Sequence, residues 1–169
     1  MSTVSYRDAT PADAEALADF ARETWTATFG HLYPPEDLNA FLTAKFGADI
    51  QRREMAEGLR YVLAFDDAGL AGYCAMGALD MPVDEAGALE LHRLYIHERA
   101  KGGGVAQKLM DEVIAWARGK GAPALYLSVW ENNERAQRFY RRYGFADYSE
   151  WDFMVGTVAD RDFIWRLAL

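Results

Sequence analysis

The sequence predicts an α/β fold: one domain over residues 1–169, built on a mixed, mostly antiparallel sheet of about seven strands with helices on both faces. Three observations predict it. Short runs of alternating apolar residues and longer runs of helical periodicity follow each other in a fixed order: strand, helices, two strands, strand–turn–helix, strand–helix, two strands. The stretch Leu89–Gly121 reads as a strand, a glycine-rich turn and an amphipathic helix leading to another strand, the form taken by parallel neighbours joined by a right-handed crossover. Finally, Asp66-Asp67-Ala68-Gly69 separates two apolar β-forming runs, which is a hairpin signal.

Val4 to Ala9 forms the first expected strand. Thr10-Pro11-Ala12-Asp13 opens a helix, with Thr10 as N-cap, Pro11 at the first helical position and an acid in the first turn. Leu17, Phe20, Ala21, Thr24, Trp25, Thr28 and Phe29 recur at helical spacing until Gly30 and Pro34-Pro35. A second helix carries Leu38, Phe41, Leu42 and Phe46, and a third runs from about Asp49 to Glu57. Tyr61–Phe65 and Leu70–Ala78 are the hairpin strands, followed by an acidic loop with Asp80, Asp84 and Glu85. After Pro123, Leu125–Trp130 alternates as a strand. Asn132-Asn133 caps a helix through Ala136, Phe139, Tyr140 and Tyr143, and Gly144 with Phe145 closes it. Trp151–Gly156 and Asp162–Leu167 form a last antiparallel pair.

The central unit carries a phase break. Leu89 and Leu91 alternate, as do Leu94 and Ile96, but the pairs are out of step by one residue. All four share a buried face only if an extra residue is inserted, so a β-bulge is expected near His92–Arg93. In the helix beyond, Val105, Leu109 and Val113, with Met110, Ile114 and Ala117, form the buried stripe. The turn Lys101-Gly102-Gly103-Gly104-Val105-Ala106 leaves the first helical N–H groups uncovered, an arrangement suited to phosphate. No Gly-Lys-Ser/Thr follows, so it is not a P-loop.

A formal net charge of −8 argues against nucleic acid or an anionic membrane as partner and suits a cationic small molecule. The single Cys74 excludes an intrachain disulfide. The stretch MSTVSYRD lacks a basic-plus-apolar signal pattern, and no apolar run approaches membrane-spanning length, so a cytoplasmic location is expected. No His/Cys/Asp spacing suggests a metal.

Lys101, Gly104 and Ala106 occupy the positions of a motif written Gln/Arg-x-x-Gly-x-Gly/Ala, and the segment resembles the acyl-CoA-binding loop of the GNAT superfamily of N-acetyltransferases, with lysine in place of Gln/Arg. Asn133, Ala136, Phe139, Tyr140, Gly144 and Phe145 match the second signature of that superfamily. Glu23–Phe29, Glu90-Leu91 with Leu94-Tyr95-Ile96, Val129-Trp130-Glu131, and Phe153–Gly156 followed by Asp162 resemble the PaiA-type spermidine/spermine acetyltransferases.

The resemblance implies acetyl-CoA as co-substrate and no metal. It implies that Lys101, Gly102, Gly103, Gly104, Val105 and Ala106 hold the pyrophosphate, and that Leu94, Tyr95 and Ile96 pair with the pantetheine arm. Asn133, Ala136 and Tyr140 complete the donor site. Glu90 is the expected base, projecting opposite to Leu89 and Leu91, with His92 as its rival. Tyr140 is the expected acid for the leaving thiolate; a core aromatic stripe is the competing reading. Trp25, Phe29, Tyr33, Glu90, Trp130 and Trp151 are expected to wall the acceptor site, with Asp80, Asp84, Glu85 and Glu131 as partners for a cation. The expected reaction is acetyl transfer to a primary amine, a polyamine among the candidates. A protein or peptide acetyltransferase and a non-catalytic acyl-CoA sensor are the alternatives. Expected partners are therefore a small amine and, at most, a second copy in a homodimer.

Overall fold

The computed structural model describes residues 3–169; Met1 and Ser2, the first two residues of the MSTVSYRD stretch, lie outside the described residues. Its sheet has seven strands, β1 (Ser5–Asp8), β2 (Arg60–Asp66), β3 (Gly69–Ala78), β4 (Leu89–Ile96), β5 (Ala124–Trp130), β6 (Ala146–Val155) and β7 (Val158–Ala168), in the order β1-β2-β3-β4-β5-β7-β6. Every neighbouring pair is antiparallel except β4 and β5, which are parallel.

Helices cover both faces. On one lie α1 (Ala14–Phe29), α2 (Pro35–Phe46) and α3 (Ala48–Ala56), where Leu17, Phe20, Trp25 and Phe46 pack on Tyr61, Leu63 and Tyr73. Thr10 and Asp13 close the capping box ahead of α1: the Asp13 carboxylate accepts the Thr10 N–H at 2.8 Å. On the other face lies α4 (Val105–Gly119), whose buried residues are Val105, Leu109, Met110, Val113, Ile114 and Ala117, as the sequence periodicity requires. Beside it, α5 (Glu134–Arg142) packs Ala136, Phe139 and Tyr140 against the same core.

The bulge is where the phase break puts it. Ala75 faces Arg93 and Met76 faces Leu91, so His92 is the extra residue. Leu89, Leu91, Leu94 and Ile96 consequently all pack toward α4, while Tyr95 packs toward α1.

The last hairpin differs from expectation. β6 begins at Ala146 and β7 at Val158, with Gly156-Thr157 as a tight turn and Gly156 at φ +57°. Residues 146–150 are exposed on the sheet edge, so they carry no apolar alternation to read. Tyr148 is an unpaired extra residue at the β6–β7 register shift and packs edge-on against Tyr126.

Candidate active site

β4 and β5 pair only at Leu89↔Leu125 and Glu90↔Tyr126, then splay apart. His97 donates its N–H to Ala71 O at 2.8 Å, and antiparallel alternation therefore turns the N–H and C=O of Leu94 and Ile96 away from β3, into the gap. The inserted His92 sets that phase. A cavity of about 650 Å³ occupies the gap and runs from the glycine turn to the ends of β6 and β7.

Most of the residues singled out in the sequence line this cavity. Leu94, Tyr95 and Ile96 line it from β4; Lys101, Gly102, Gly104 and Ala106 from the turn; Asn133, Ala136 and Tyr140 from α5. Trp25, Phe29 and Tyr33 come from α1 and the loop after it, and Trp130 and Trp151 from β5 and β6. Two do not line it. The Val105 side chain is 2% exposed and belongs to the core, and Gly103 donates its N–H to Ala100 O at 3.3 Å, which occupies that amide. Gly102 and Gly104 hold φ of +81° and +86°, a region that strains side-chain-bearing residues. Lys101 Nζ sits 2.7 Å from Glu98, and Arg135 and Arg142 also line this end, which is thus basic.

Glu90 lies in mid-cavity and is 7% exposed. The Asp80 N–H donates to its Oε2 at 2.6 Å. Burial raises its pKa to about 7, with the Asp80 charge adding and the Lys45 and Arg93 charges opposing. His92 pairs its Nε2 with Ala78 O at 2.8 Å, and burial pushes its pKa down. Neutral His92 therefore donates from Nε2 and turns Nδ1 toward Glu90 Oε1, 3.7 Å away. Asn133 accepts the Ala136 N–H at 3.3 Å as the α5 cap. Burial raises the Tyr140 pKa, with Tyr95 adding to the effect, so its phenol stays protonated at neutral pH.

The far end is acidic and aromatic. Tyr33 donates its hydroxyl to Asp160, and its ring stacks on Trp25 with centroids 5.5 Å apart. Trp151 Nε1 donates to Ser128 Oγ and Ser128 Oγ to Asp162 Oδ2, both at 2.9 Å. Burial raises the Asp162 pKa to about 6, reinforced by the charges of Asp160 and Glu131. Sequence does not signal Asp160, because β7 begins four residues earlier than its apolar pattern, and Ser128 lies within the expected β5 run with no spacing that links it to Asp162. The suggested cation partners divide. Asp80 lines the cavity, whereas Glu85 is bound by Arg166 at 2.8 Å and Tyr126, Glu131 faces Arg161 at 3.4 Å, and Asp84 is exposed. Lys45 and Arg93, also unread in the sequence, line the cavity near Glu90; Arg93 is held by Tyr61 Oη at 2.5 Å and by Glu54 at 2.9 Å.

The profile of the Acetyltransferase (GNAT) family matches residues 15–145. The chain belongs to the GNAT family. As a GNAT protein it is an acyltransferase. It is 30% identical over 160 residues to an N-acetyltransferase of Lactobacillus delbrueckii subsp. lactis, covering 93% of this chain and 92% of that one. It is 25% identical over 138 residues to the spermidine N(1)-acetyltransferase of Thermoplasma acidophilum, covering 79% and 82%. The GNAT fold here superimposes on the crystal structure of the PaiA N-acetyltransferase from Thermoplasma acidophilum in complex with coenzyme A with a TM-score of 0.81, 23% identity and 99% of each chain covered. At that identity the likeness speaks to the fold alone. Among the described residues of this GNAT chain no group of His, Cys, Asp and Glu is arranged to hold a metal, and no helix is long and apolar enough to cross a membrane.

Proposed function

We propose that the chain transfers the acetyl group of acetyl-CoA to a small primary amine, with a polyamine as the favoured acceptor, by direct attack within a ternary complex. The observation that carries this reading is the single cavity in which an unpaired β4 edge, a carboxylate with a pKa of about 7 and an acidic, aromatic far end are continuous. The donor fits the residues present. Its phosphates match the amides of Gly102 and Gly104, the first turn of α4, and the charges of Lys101, Arg135 and Arg142. Its pantetheine amides match the free N–H and C=O groups of Leu94 and Ile96, as an added strand would.

An aliphatic ammonium has a pKa near ~10 and must lose its proton before attack. Glu90 accepts it, directly or through a water, and its raised pKa makes the carboxylate a better base than an exposed one. The Leu94 N–H polarises the thioester carbonyl and stabilises the oxyanion, an effect of about 3 kcal/mol for one such donor. Attack forms the C–N bond, collapse breaks the C–S bond, and Tyr140 protonates the leaving thiolate. Trp25, Phe29, Tyr33, Trp130 and Trp151 enclose the acceptor, and Asp160 and Asp162 neutralise its distal cation.

Release of CoA thiol against spermidine, spermine, amino acids, aminoglycosides and N-terminal peptides tests the reading. Turnover with polyamines above the other classes is the expected result, and turnover confined to peptides would overturn it. Tyr140→Phe should lower kcat roughly 100-fold with the acetyl-CoA Kd unchanged. A sensor would keep its whole function in that variant.

A further inference from the structure

Lys45 stands in the last turn of α2 and reaches the cavity that holds Glu90. Among the described residues its ammonium has no hydrogen bond and no carboxylate within 4.0 Å, although Glu54, Asp80 and Glu90 all bear on it electrostatically. The other three lysines are placed differently. Lys101 is bound to Glu98 at 2.7 Å beside the glycine turn, and Lys108 and Lys120 are exposed on α4 and just beyond it. Lys45 is therefore a primary amine of the class this cavity would act on, tethered at the cavity that Glu90 also lines. Burial and the neighbouring Arg93 charge both favour its neutral, nucleophilic form.

We infer that Lys45 is an internal acceptor: when no free amine is bound, the protein acetylates its own Lys45 from acetyl-CoA. The inference rests on the proposed function. The step balances without a further reactant. The ammonium of Lys45 passes a proton to Glu90 through water, and its lone pair forms the C–N bond at the thioester carbonyl. The C–S bond breaks, the thiolate takes the Tyr140 proton, and the second proton of the attacking nitrogen passes through water to the Tyr140 oxygen, which restores the phenol. Tethering removes the entropy of bringing two molecules together, so the reaction is first order in protein. The product is a neutral amide that removes one cation from beside Glu90 and fills part of the acceptor space. Such a modification would slow turnover of small amines and would record a period without acceptor.

The test incubates the full chain with acetyl-CoA alone and follows intact mass, with peptide mapping to locate the group. The expected result is one acetyl group on Lys45, with a first-order rate constant independent of protein concentration and at least about tenfold larger than at Lys108 or Lys120. Lys45→Arg should abolish the gain, Glu90→Gln should slow it roughly 100-fold, and added spermidine should protect Lys45. Mapping of the unaltered chain decides the point even if a variant fails to fold. Acetyl spread evenly over the four lysines, a first-order rate constant that rises with protein concentration, or an unmodified Lys45 in a preparation that acetylates spermidine would each overturn the inference and leave the proposed function intact. If neither Lys45 nor any free amine gains acetyl, both fall.

Discussion

Glu90 and His92 show how one residue's partners decide its chemistry. Both are titratable groups on β4, but burial pushes the His92 pKa down, with the Ala78 carbonyl that accepts from its Nε2 opposing, whereas burial pushes Glu90 up to about 7. The two are therefore not equivalent as bases. Glu90→Gln should lower kcat by about 10²- to 10⁴-fold. It should also remove the rise of kcat/KM with pH centred near 7, because the amide has no proton to lose. Acetyl-CoA affinity, measured by calorimetry, should be unchanged. A pH limb that survives in Glu90→Gln and disappears in His92→Asn would reverse the assignment.

At the scale of elements, the site is made where regular pairing stops. The bulge at His92 turns the backbone of Leu94 and Ile96 into the gap, and the early end of β4–β5 pairing opens that gap. The glycine turn supplies the opposite wall. Gly104, at φ +86°, precedes α4 in a left-handed conformation, whereas Gly103 does not. Gly104→Val should therefore cost about 1–2 kcal/mol of stability and weaken donor binding, while Gly103→Ala should do less of both. Melting curves and acetyl-CoA titrations of the two variants compare them; equal losses would mean that the φ of Gly104 is not what the turn requires.

Across the whole molecule, charge is graded along the cavity, basic at the glycine turn and acidic at the far end, although the formal net charge is −8. The acids that build the gradient bear on folding. Glu90 and Asp162 have folded pKa values of about 7 and about 6, above their ordinary values of 4.5 and 3.8. The folded state thus binds their protons more tightly, so their contribution is full at low pH and is lost as pH rises through those windows. For Glu90 the loss is on the order of 3 kcal/mol. Asp13 runs the opposite way: bound by Arg7, it sits at about 2, and its contribution is lost as pH falls from 3.8 toward that value. Denaturant unfolding from pH 4.5 to 7 should show Glu90→Gln gaining stability relative to the unaltered chain. A constant difference across that range would sink the linkage.

The sequence by itself determined the order of the elements, the buried stripe of α4, the bulge and most of the lining. Each of these is written in local periodicity, in caps such as Thr10 and Asn133, or in a phase break that one inserted residue must resolve. It did not reveal Asp160, Ser128, Lys45 or Arg93, because no spacing links residues on β7, β5, α2 and β4 until the sheet brings them together. Nor did it separate Asp80 from Glu85 in one acidic loop; an arginine 81 positions along the chain, Arg166, takes Glu85 away from the cavity. Only the tertiary structure decided ionisation, since the pKa of Glu90 depends on the water excluded by distant elements, on the Lys45 charge from α2 and on how the fold sets Asp80 and Arg93 around it.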